Sequence, residues 1–133
     1  MTEAAPAEPL PARVVALRQQ LLKFALSLPE AWEDHPWGHS VVKVRKKIFL
    51  FLGGTEGSPG MDVKLPLSAD HALSVPRSAP TGYGLGRHGW VSLALNVPSP
   101  PFPPLDVLTD WVEESYRAVA PKTLVAKLIE APG

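Results

Sequence analysis

The chain has 133 residues, 13 Lys and Arg balanced by 13 Asp and Glu, and no cysteine. That length fits one domain able to bury roughly two-thirds of its unfolded surface, so its core needs no covalent staples. Disulfides, thiolate catalysis and cysteine-based zinc sites are excluded, while a neutral total argues against strong, indiscriminate nucleic-acid binding but leaves room for a local basic patch.

Residues 1–9 (MTEAAPAEP) hold too little apolar content to pack and read as a mobile tail ahead of a single domain over residues 10–130. Glu3 and Glu8 lie among Ala and Pro, with no basic segment leading into an apolar run, so no signal peptide is expected. No apolar stretch reaches the roughly 18–20 residues that span a bilayer. A soluble, cytoplasmic protein without membrane contact is the expectation.

Leu10, Val14, Leu17, Leu21, Phe24 and Leu28 recur at alternating spacings of four and three, one face of a helix that Pro29 stops. Pro36 and Gly38 then break the chain at a corner, HPWG. Val42 and Val44 alternate with Lys43 and Arg45, the pattern of a half-buried strand. Ile48 to Leu52 (IFLFL) is apolar on both faces, as in an interior strand. Lys46-Lys47 between them is poor two-residue turn chemistry, which predicts a longer or bulged connection.

GGTEGSPG (53–60) reads as a loop, and Met61, Val63 and Leu65 mark a third strand. Ser68 is placed to cap a short helix with Asp70 in its first turn. Residues 78–89 read as loop with a short strand near Tyr83, and Trp90 to Val97 as the last clear strand. PSPPFPP (98–104) is a stiff connector. Leu105, Leu108, Val112, Ser115, Tyr116 and Val119 then outline a long helix with Trp111 beside its seam, and Thr123 to Ile129 a short final one. The class is α+β, a mostly antiparallel sheet with helices packed on it.

Several patterns bear on chemistry. GLGRHG (84–89) spells G-x-G-x-x-G, but it runs into a strand where a dinucleotide fingerprint would open a helix, so the glycines read as a tight positive-φ loop. His35 and His39 are four apart, but Pro36 and Gly38 rule out the helix that would align them on zinc. Glu30, Glu33 and Asp34 read as solvated charge, and Ser115 lacks the elbow of a nucleophile. Trp37, Trp90 and Trp111 read as core in preference to a stacking platform. No catalytic set, metal site or cofactor is predicted.

The strongest functional signal is basic. Lys43, Arg45, Lys46 and Lys47 fall at a strand end and tip, and Arg87-His88 forms a second basic loop just before Trp90. A protruding basic hairpin can track phosphates. The same lysines also suit a solvated sheet edge protected from aggregation.

The order of short motifs resembles the MmcQ/YjbR family. Those motifs are LPE (28–30), HPWG (35–38), VVKVRKKIFLFL (41–52), VKLPLS (63–68), GYG (82–84), HGWVSLAL (88–95) and ESYRAVAPKTLVAKL (114–128). The resemblance implies an α-β(3)-α-β(2)-α fold, similar to type III secretion chaperones and frataxin-like sheets. It also implies a double-wing DNA-binding role without a catalytic set. Carried to this chain, the first wing is Arg45-Lys46-Lys47 and the second holds Arg87 and His88. Arg45-Lys46 stands where the family commonly has a glycine-containing turn, and Glu56 adds an acid near the sheet edge. The expectation is therefore weak, salt-dependent DNA binding through Lys43, Arg45, Lys46, Lys47, Arg87 and His88. A protein- or peptide-binding module, including a homodimer, is the alternative. A small-ligand binder or enzyme with a pocket near His35, His39 and Trp90 is a further one.

Overall fold

The computed structural model describes residues 12–36, 39–55, 58–82, 84–96 and 103–130. The N-terminal tail, Trp37 and Gly38 of the corner, Glu56, the strand end at Val97, the expected strand residue Tyr83 and most of the Pro-rich connector lie outside them.

Helix α1 (Ala12–Leu26) carries the predicted stripe: Val14, Leu21 and Ala25 are fully buried, and Leu17, Leu22 and Phe24 pack at its margin. Glu30 then adopts φ 58° and turns the chain into β1 (Ala31–Asp34). Along the chain follow β2 (Ser40–Val44), β3 (Lys47–Leu52), β4 (Gly54–Thr55), β5 (Ser58–Lys64), α2 (Ala69–Leu73), β6 (Ala79–Pro80), a 3-10 turn (Leu85–His88), β7 (Trp90–Ala94), α3 (Leu105–Val119) and α4 (Lys122–Glu130). The strands form one antiparallel sheet in the order β1-β2-β3-β5-β7-β6, with β4 paired to the start of β5. The α+β expectation is met.

Strand β1 was not foreseen. Ala-Trp-Glu-Asp lacks an apolar alternation, and its acids read as a solvated run. Pairing with β2 decides the matter: Trp32 lies opposite Lys43 and Asp34 opposite Val41, so successive acids point to opposite faces. The short strand expected near Tyr83 is found earlier, at Ala79–Pro80. The cap expected from Ser68 is absent. Instead the Glu114 carboxylate of α3 accepts the amides of Leu67 and Ser68 at 2.8 and 3.0 Å and the Ser68 hydroxyl at 2.7 Å.

The β2–β3 connection is a two-residue turn of Arg45 and Lys46, one position earlier than expected, with Arg45 at φ 56°. The longer connection expected at Lys46-Lys47 is not found, and the irregularity lies inside the strand instead. Val42 faces Leu50 and Lys43 faces Ile48, which leaves Phe49 as the extra residue of a bulge. Pairing of β3 with β5 stops at Leu50 and Val63. Beyond it the fully buried Ser115 of α3 fills the gap: its hydroxyl donates to the Phe49 carbonyl at 2.5 Å and accepts the Lys64 amide at 2.8 Å. Ser115 is thus a structural bridge between strands.

Helices α1 and α3 pack on one face of the sheet, over Val42, Val44, Leu50, Leu52, Met61, Val63, Val91 and Leu93. Tyr116 is buried there, edge-on to Phe49 at 5.2 Å, with its hydroxyl donating to the Pro29 carbonyl at 2.7 Å. Trp111 is core as well, edge-on to His71. The opposite face carries the cross-strand row Asp34, Val41, Phe51, Asp62 and Ser92. Val41 and Trp90 are buried on that face, outside the main core cluster.

Candidate functional site

The basic hairpin is divided by its own partners. Lys43 Nζ lies 2.8 Å from Asp34 Oδ2 and 5.1 Å from the centre of the Trp32 ring. The Trp32 indole N–H donates to the Arg45 carbonyl at 2.8 Å, and Arg45 Nε lies 3.2 Å from Glu30 Oε1. The Lys43 hydrogen bond, helped by the His35 amide, holds the Asp34 carboxyl below its ordinary range, and the Arg45 hydrogen bond does the same for Glu30. Lys43 and Arg45 therefore brace β1 against β2. Lys46 and Lys47 are exposed and have no carboxylate partner among the described residues. Together with Lys122, they border a shallow groove of about 560 Å³ between the hairpin turn and the α3–α4 junction.

Arg87 and His88 are exposed in the 3-10 turn, which Gly84 (φ 78°) and Gly89 (φ 87°) frame. GLGRHG thus delivers the chain into β7, as its loop reading requires. The register places this turn relative to the hairpin. Leu50 faces Val63, so the β2–β3 turn lies beside the C-terminal end of β5, and Lys64 at that end faces Trp90, the first residue of β7. Both basic tips consequently lie at one end of the sheet, on either side of β5.

The two histidines of the corner part company. His35 Nε2 is 3.0 Å from Glu33 Oε2 and 3.2 Å from the Ser40 hydroxyl. His39 instead lines a cleft on the open face of the sheet, with Phe51, Asp62, Thr81, Gly82, Leu85 and Ser92, enclosing about 710 Å³. Trp90 adjoins the cleft through an edge-to-face contact with Phe51, ring centres 5.5 Å apart. Burial pushes the Asp62 carboxyl above its ordinary range, against a smaller opposing pull from its hydrogen bond with Ser92. The Ser92 and Thr81 hydroxyls are 2.9 Å apart. Of the residues expected near a pocket, His39 lines it, Trp90 borders it and His35 lies apart. Asp62, Thr81 and Ser92 were missed. Asp62 and Ser92 stood at the polar positions of two alternating strands, and only the pairing of β5 with β7 sets them side by side.

A family model described as YjbR matches residues 26–118. No curated protein matches. Among solved structures, a Deinococcus radiodurans protein, DR2400, described with the DUF419 domain, is 22% identical, with 79% of each chain covered and a TM-score of 0.64. A Pseudomonas syringae protein is 19% identical over 77% of this chain and 97% of its own, with a TM-score of 0.57. At these identities the two structures speak to the fold alone.

Proposed function

The chain belongs to the YjbR family, and from that premise we propose that it is a small binding domain that contacts DNA weakly through the basic end of its sheet. The observation that carries this reading is the pair Lys46 and Lys47, exposed beside the groove bordered by Lys122 and without acidic partners among the described residues. Arg87 and His88 extend the same end as a second tip. Lys43 and Arg45 are engaged with Asp34 and Glu30, and so contribute less than Lys46 and Lys47. Phosphate contacts of this kind carry affinity without sequence information. With so few of them, affinity falls in the range of about 10⁻⁴–10⁻⁶ M at physiological salt.

Fluorescence anisotropy of a short labelled duplex, titrated at several salt concentrations, tests the reading. Each phosphate neutralised contributes about −0.9 to the slope of log K against log salt, so Lys46, Lys47 and Lys122 together account for a slope of about −2.7. The triple variant Lys46→Ala, Lys47→Ala, Lys122→Ala loses most of that slope. An unchanged slope in the variant, or no binding at low salt, refutes the interface.

A further inference from the structure

We propose that the open-face cleft is a binding site for a small organic cation, an amine or amidine on a flat apolar body, with the Asp62 carboxylate as its anchor. This goes beyond DNA contact and uses none of the basic residues. At about 710 Å³ the cleft falls in the size range of small-molecule sites. Its composition has the form such sites take: apolar walls from Phe51 and Leu85, and a few polar groups converging from different elements.

The Thr81 and Ser92 hydroxyls are 2.9 Å apart, either able to donate to the other, and Ser92 is the cross-strand neighbour of Asp62. Asp62, Thr81 and Ser92 line the cleft together, and the Asp62 carboxylate has lone pairs to accept from a ligand. No described Lys or Arg forms an ion pair with Asp62. A half-buried carboxylate without a Lys or Arg counter-ion among the described residues is a poor arrangement for the free protein, and a cation entering the cleft supplies what it lacks. Phe51 offers that ligand an aromatic wall beside the charge. A metal ion fits less well, because the described residues bring no three His, Asp or Glu side chains together.

The test is an NMR amide-shift titration of the full chain with benzamidine, alongside benzyl alcohol and benzoate as neutral and anionic probes of similar shape. Benzamidine is expected to move the amides of Phe51, Asp62, Thr81 and Ser92 and to bind more tightly than either control. Asp62→Asn keeps the shape of the side chain and removes a costly charge, so it folds. It is expected to weaken benzamidine binding on the order of tenfold or more, the loss of one charge-assisted hydrogen bond. Equal binding by benzyl alcohol, unchanged affinity in Asp62→Asn, shifts confined to other surfaces, or no binding by benzamidine each overturn the proposal.

Discussion

Replacing Ser115 with alanine removes a single hydroxyl but strands two backbone groups. The Phe49 carbonyl loses its donor, and the Lys64 amide loses its acceptor, beneath a helix residue with no solvent exposure. The bulge at Phe49 has already taken that residue out of the β2–β3 pairing, and β3–β5 pairing ends one step earlier at Leu50, so neither group has a ladder partner to return to. An unsatisfied buried polar group costs about 1–3 kcal/mol, so two of them cost about 2–6 kcal/mol. Against a typical domain stability of about 5–15 kcal/mol, that is a large fraction. The assay is guanidinium unfolding of Ser115→Ala beside Ser27→Ala, whose exposed hydroxyl bonds only to the Phe24 carbonyl one turn back. The control is expected to stay within about 0.5 kcal/mol of the parent chain. Hydrogen exchange at the Lys64 amide should accelerate in Ser115→Ala and remain unchanged in the control. A loss in Ser115→Ala no larger than in the control refutes the reasoning, because it means that the two strands close on each other once the hydroxyl is gone.

Two further predictions concern the sheet. Burial raises the folded-state pKa of Asp62 above the unfolded value of 3.8, so its protonated form favours the fold and stability is lost as pH rises through the raised folded value. Asp62→Asn should therefore match the parent chain in thermal midpoint below pH 3.8 and exceed it near neutrality; equal midpoints at both ends of that range contradict the assignment. Arg45 holds φ 56° at the hairpin turn, where glycine is unstrained. Its pair with Glu30 is exposed and contributes little. Arg45→Gly is expected to stabilise the chain by about 1 kcal/mol in urea unfolding, and a destabilisation shows that the ion pair outweighs backbone strain.

What could be read from the residues divides along physical lines. Helices α1, α3 and α4 and strands β2, β5 and β7 announce themselves because burial on one face imposes a period on their apolar residues, and β3 because its apolar run fits an interior strand. Strand β1 has no such period, since Trp32, Glu33 and Asp34 are held by what β2 presents to them. That single omission hides much of the electrostatics. Asp34 and Glu30 looked like free acids until β1 brought them to Lys43 and Arg45, and a run of four cations became two braces and two exposed lysines. The cleft was hidden for a related reason. Asp62 and Ser92 are 30 positions apart, and only strand register makes them neighbours.

The outer strands of the sheet have a consequence for how the protein meets other chains. One flank ends on β1, where Trp32, Glu33 and Asp34 fill three of four positions; the other ends on β6, two residues long, with Pro80 lacking an amide hydrogen. Short, charged or proline-bearing flanks are poor templates for a further strand. Partners that extend a β-sheet by adding their own backbone therefore find little purchase on either side. Crowding during synthesis is correspondingly less apt to join one copy to the next along these edges.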